Sequence, residues 1–114
     1  MRLHTPPLAT LLVSLSLTLP MSAAHALDDA RFQEATALLL KAQSTGEAAA
    51  TQAAADRWTA LAAAEPGNPV ARAYAGSAVS LQATTTMLPW RKMGFAEDGL
   101  ALIDKALAQL GPEH

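Results

Sequence analysis

The side chains that most often carry out catalysis are scarce in this sequence of 114 residues. It has no cysteine and three histidines: His4, His25 and the terminal His114. A catalytic triad that depends on histidine, a general-base histidine or a site of several metal-binding histidines is therefore not expected. The lack of cysteine also excludes disulfides, thiolate metal sites and c-type haem attachment.

The remaining candidates for chemistry are hydroxyls and carboxylates. Beyond the first 26 residues serine occurs only at positions 44, 77 and 80, never within a G-x-S-x-G motif. Asp28 and Asp29 are typical of helix capping, and Glu97 and Asp98 of a solvated helix face. We therefore predict no catalytic, cofactor-binding or metal-binding residue, and a protein that is not an enzyme.

The first 26 residues have the organisation of a secretory signal. Arg2 precedes an apolar run over residues 8–19, and small residues follow Pro20. As a helix of ~1.5 Å per residue this run spans about 18 Å, short of the ~30 Å of a bilayer core. Ala24 and Ala26 satisfy the small-residue requirement, so we predict cleavage after Ala26, no stable membrane anchor, and a periplasmic or secreted protein.

The remaining chain, residues 27–114, is mildly acidic. Without Arg2, seven Lys and Arg residues face ten Asp and Glu residues, a net charge of −3. Such a chain offers no cationic field for a phosphate backbone, and five aromatic residues leave little for base stacking. Nucleic acid is therefore not an expected partner.

Composition and turn signals predict an all-α domain of four helices in two hairpins. Alanine accounts for 27 of the 114 residues, and no strand-like alternation is visible. Gly46 is placed to end the first helix, and Ser44 and Glu47 have the spacing of a capping box for the second. Asn68 and Pro69 are suited to start the third helix.

Helical spacing predicts the buried faces. In the first two helices these are Phe32, Ala35, Leu38, Leu39, Ala42, Ala54, Ala55, Trp58, Leu61 and Ala62. In the third they are Val70, Ala73, Tyr74, Ser77, Ala78 and Leu81. The fourth helix, starting between Trp90 and Phe95, aligns Phe95, Gly99, Leu102, Ile103, Ala106 and Leu110.

The sequence around Pro66 resembles the tetratricopeptide repeat family, whose helix pairs of about 34 residues stack into a solenoid. The residues that match the family pattern are Ala54, Trp58, Leu61, Pro66, Gly76, Gly99, Ile103, Ala106 and Leu107. Arg72 and Ala75 depart from the pattern, where an aromatic residue and leucine are usual. The resemblance implies two TPR-like hairpins; the alternative is an irregular four-helix bundle with the same faces.

Two repeats are fewer than the roughly three that such arrays need for independent stability. An exposed apolar flank is therefore expected, and it favours a bound partner or self-association over a lone monomer.

Residues 87–95 contain more large apolar and charged side chains than a connection between two helices needs. Two methionines, a tryptophan, a phenylalanine and two cations occur within nine residues. Such a mixture is typical of recognition surfaces, so the predicted partner-binding residues are Trp90, Arg91, Lys92 and Phe95. The alternative is that Trp90 and Phe95 fold back to plug the core.

These features predict a non-enzymatic, TPR-like interaction or scaffold module of a Gram-negative periplasm that binds a protein or peptide through the groove between the hairpins and residues 89–95. The alternative is a small-molecule carrier, or an accessory subunit of an exported enzyme or transporter, with an apolar pocket between helices.

Overall fold

Helices form all the regular structure in the part of the chain that the structure describes, residues 30–111 of a computed structural model. The elements are α1 (residues 30–45), α2 (Ala48–Ala64), α3 (Pro69–Leu81), a 3-10 helix (Gln82–Thr85) and α4 (Pro89–Leu110). No strand occurs within these residues, so the predicted all-α class with four helices is confirmed. The predicted signal segment and its cleavage point after Ala26 lie outside the described residues.

Consecutive helices run antiparallel, as expected for two hairpins with short connections. Glu34, in the first half of α1, forms an ion pair with Arg57, in the second half of α2. Arg72, early in α3, donates a hydrogen bond to the side chain of Gln109, late in α4.

The α1–α2 connection follows the sequence prediction at Gly46 but not at Ser44. Gly46 has a φ of 69° and its N–H donates to the carbonyl of Ala42 at 2.9 Å, which ends α1. Ser44 is still inside α1, and its hydroxyl donates back to the Lys41 carbonyl at 3.1 Å. The predicted capping box is therefore wrong: Glu47 precedes α2 without a side-chain cap.

The α2–α3 turn is built as predicted. The Asn68 side chain accepts hydrogen bonds from the backbone N–H groups of Val70 at 3.0 Å and Ala71 at 3.3 Å. Pro69 occupies the first helical position, where a missing N–H has no cost. This local chemistry fixes where α3 begins.

The core is centred on Trp58, which is 1% exposed. Its ring meets the edge of Phe32 at 5.8 Å between centroids and stacks on Tyr74 at 4.6 Å. Buried alanines supply most of the remaining core: Ala35, Ala42, Ala54, Ala55, Ala62, Ala71, Ala75 and Ala78. These small side chains allow close helix axes but bury little apolar area each, so the aromatic stack contributes much of the burial.

The predicted buried face of α3 is wrong in large part. Val70 and Ser77 are exposed, and Tyr74 is 44% exposed although its ring stacks on Trp58. Ala78 is buried as predicted, and the other buried residues are Ala71, Ala75 and Gly76. α3 lies between α2 and α4, and its fully buried positions carry small residues, while Val79 and Leu81 near its end are partly buried against the core.

The fourth helix starts at Pro89, earlier than predicted. Trp90 and Phe95 therefore lie in its first two turns, and the connection from α3 is only the 3-10 helix and three further residues. The predicted inner face is otherwise confirmed: Gly99 and Ala106 are buried, and Leu102 packs against the core.

Candidate functional site

The start of α4 exposes a cluster of large apolar side chains, which we call the Trp90 patch: Met87, Leu88, Trp90 and Met93. Trp90 is 69% exposed and Met87 is 90% exposed. The interpretation in which Trp90 plugs the core is therefore wrong. Leu88 precedes the first residue of α4, so the patch includes the helix end itself.

Arg91 and Phe95 lie on a different side of α4 from Trp90. At about 100° per residue, Arg91 is turned by about 100° from Trp90, while Phe95 shares the side of Arg91 one turn later. Both line a depression of about 330 Å³ between the start of α2, the 3-10 helix and the start of α4. Its other lining residues are Ala48, Gln52, Gln82, Thr85 and Thr86. Phe95 is half-buried there, so the alternative in which Phe95 folds back to plug the core is met only in part.

Lys92 forms a hydrogen bond with another element of the fold. Its Nζ donates a hydrogen bond to the Ala83 carbonyl at 3.2 Å, which connects the first turn of α4 to the 3-10 helix. The four predicted partner-binding residues thus occupy separate places. Trp90 lies on the patch, Arg91 and Phe95 line the depression, and Lys92 is hydrogen-bonded to the 3-10 helix.

Two further exposed residues continue the apolar surface along α4. Leu100 is 57% exposed and Leu107 is 59% exposed. Met93, Leu100 and Leu107 are spaced by seven residues. At about 100° per residue each is turned by about 20° from the one before it, so all three lie along one side of the helix. We call Met93, Leu100 and Leu107 the α4 stripe. Sequence reasoning missed Leu100 and Leu107, although their spacing is visible in the sequence.

A second depression, of about 390 Å³, opens between α2 and α4 with α3 as its floor. Thr59, Ala62, Ala63, Arg72, Ala75, Leu102 and Lys105 line it. Hydrogen bonds hold the Arg72 side chain: besides its bond to Gln109, it donates to the Pro66 carbonyl at 3.4 Å. Gln109 donates to the same carbonyl at 2.9 Å, so hydrogen bonds at this end of the depression connect the α2–α3 turn to α4.

Residues 30–111 contain no group of three His, Cys, Asp or Glu side chains placed to hold a metal ion. In the same part of the chain, no helix combines the length and apolar character that crossing a membrane requires.

The residues behind the tetratricopeptide resemblance lie in the packed parts of the fold. Ala54, Trp58 and Leu61 are buried in α2, and Gly76 meets Gly99 where α3 crosses α4. The fold is thus an all-α arrangement of antiparallel helices whose repeat type is not identified. No family model, curated protein or solved structure matches this chain.

Proposed function

We propose that this chain is a non-enzymatic, exported, TPR-like interaction module that binds another protein or a peptide through the Trp90 patch. The observation that carries the proposal is the exposure of Trp90 beside Met87 and Met93. Tryptophan is enriched among the residues that dominate binding energy, and methionine adapts its shape to an apolar partner.

The fold gains little from these exposed side chains, and exposing them together carries a solubility cost. Four large exposed apolar residues at one helix end are therefore better explained by a partner that removes them from water. Trp90 supplies a large rigid ring for that contact, and the depression beside it supplies Arg91 as a donor for a carboxylate or a carbonyl of the same partner.

Export is the second part of the proposal, and it is supported by the composition of residues 1–26 alone. Mass spectrometry of the chain purified from an exporting host tests it directly. We expect an amino terminus at Leu27, and a chain that still begins at Met1 would contradict the cleavage.

Affinity capture from the organism that produces the chain tests the binding surface. Trp90→Ala is compared with the wild type and with Leu40→Ala, which removes a large apolar residue of similar exposure, 61% against 69%, from α1. We expect Trp90→Ala to lose a specific co-purifying protein while far-ultraviolet circular dichroism keeps the helical signal. The Leu40→Ala variant should retain that protein. Retention by Trp90→Ala, or equal loss in both variants, would contradict the proposal.

A further inference from the structure

The α4 stripe has the sequence pattern of a coiled-coil seam on its open side. Met93, Leu100 and Leu107 occupy one position of a seven-residue repeat, and residues three further on are Ala96, Ile103 and Leu110. In the second row Ile103 lies against α3, since an ideal Cβ on Gly76 would lie 2.7 Å from Ile103 Cγ1, whereas Ala96 is exposed. The first row is exposed, so α3 covers the Ile103 edge of the seam and solvent meets the other edge.

The open edge of this seam is acidic. Glu97 and Asp104 are both exposed, and at about 100° per residue they lie about 40–60° from Leu100, on the side away from α3. The cations of α4 are elsewhere: Lys92 is bonded to Ala83, while Arg91 and Lys105 point about 140–180° away from Leu100. The stripe is therefore bordered by two carboxylates and no cation of its own helix.

This charge pattern disfavours a second copy of the chain. In an antiparallel two-fold pair of α4 helices the same edge of each helix meets, so Glu97 and Asp104 would face the carboxylates of the other copy. In a parallel pair the acidic edge would have to meet the edge that α3 already covers. Like charges placed across such a seam are destabilising.

We infer that the α4 stripe binds an amphipathic helix of another protein, with an apolar seam and Lys or Arg along the edge that faces Glu97 and Asp104. The inference rests on the proposed function and names the class of partner. Fourteen residues separate Met93 from Leu107, about 21 Å at ~1.5 Å per residue, so a partner helix of about four turns matches the stripe. Trp90, one turn before Met93, contacts the end of that helix.

Designed peptides test the partner class on the full chain. The basic peptide is a helix of about 21 residues, or three heptads, with leucine at its seam positions and lysine at the flanking ones. The acidic peptide carries glutamate in place of lysine, and a third peptide is a scrambled basic sequence. Calorimetry at low salt measures the three affinities.

We expect the basic peptide to bind about tenfold more tightly than the acidic one, the size expected when two exposed charge pairs change from repulsion to attraction. The scrambled peptide should not bind. The double variant Glu97→Lys with Asp104→Lys should reverse the preference, whereas Asp98→Lys, on the far side of α4, should leave it unchanged. Leu100→Ser should abolish binding without loss of helicity, since Leu100 is exposed.

Equal binding of both peptides, or binding that survives Leu100→Ser, would overturn the inference. A dimer in sedimentation experiments that Leu100→Ser dissociates would also overturn it, because the stripe would then be a self-interface. If Trp90→Ala loses a native partner but the charge reversal and Leu100→Ser do not affect that complex, the proposed function stands and this partner class fails.

Discussion

Gly76 and Gly99 face each other where α3 crosses α4, and the backbone of each helix occupies the space that a side chain of the other would need. An ideal Cβ on Gly76 would lie 2.7 Å from the Gly99 carbonyl oxygen, and one on Gly99 would lie 2.6 Å from the Gly76 carbonyl oxygen. The Ser80 side chain also lies against Gly99. Since α4 carries the candidate binding surface, this contact sets the position of that surface on the rest of the fold.

Gly99→Ala should destabilise the fold by about 1–3 kcal/mol or more, because the added methyl group meets backbone that cannot move without separating the helices. Gly94→Ala is the matched control in the same helix. Nothing lies within 4 Å of an ideal Cβ at Gly94, so this change should stabilise α4 by about 0.5–1 kcal/mol through helix propensity. Urea unfolding followed by circular dichroism gives both free energies. Equal effects of the two substitutions would contradict the close crossing.

Substitutions of Trp58 should separate the packing of its ring from the hydrogen bonding of its N–H. The ring is buried, but its Nε1 has no hydrogen-bond acceptor among the described residues. Trp58→Ala should cost about 3–5 kcal/mol, the usual loss for a large buried aromatic side chain. Trp58→Phe should cost less than half of that, since it retains the contacts with Phe32 and Tyr74 and removes an unpaired donor. Thermal unfolding measures the difference, and equal costs of the two substitutions would contradict this prediction.

The two predicted helix caps should respond differently to alanine. Asn68→Ala should lower the free energy of unfolding by about 1 kcal/mol, since it removes the acceptor for two backbone N–H groups. Ser44→Ala should change it by less than about 0.5 kcal/mol, because Ser44 bonds within its own helix. A larger loss at Ser44 than at Asn68 would support the capping box that the structure does not contain.

Local signals predicted the helical class and most of the turns. Gly46 ends α1 because glycine readily adopts the left-handed backbone conformation found there. Asn68 and Pro69 start α3 through contacts within three residues. The buried sides of α1 and α2 followed from periodicity, because the buried residues of each helix lie along one stripe that includes a large apolar residue, Leu39 in α1 and Trp58 in α2.

The buried side of α3 was not predictable by the same reasoning. Periodicity selected Val70 and Tyr74 as inner residues because both are large and lie at helical spacing with Ala78 and Leu81. The structure places α3 between two neighbours, and the close approach at Gly76 leaves no room there for a side chain. Which of two apolar faces is buried depends on the spacing between helices, and that spacing is a tertiary property.

The candidate site was predictable in part. The composition of residues 87–95 singled out Trp90, but the four predicted contact residues were chosen by nearness in sequence. Helical geometry separates Trp90 from Arg91 and Phe95, and it extends the surface to Leu100 and Leu107. The start of α4 at Pro89 decides this, since a helix that begins later would not impose that rotation.

Photo-crosslinking in the living cell tests most directly whether the open side of α4 binds another protein. A photoreactive amino acid replaces Trp90 or Leu100 in the full chain, and replaces the exposed Gln43 of α1 as the control. We expect one discrete adduct, of the same mass from positions 90 and 100 and larger than the chain alone, that is absent from position 43. No adduct at positions 90 and 100, or the same adducts at all three positions, would contradict binding at this surface.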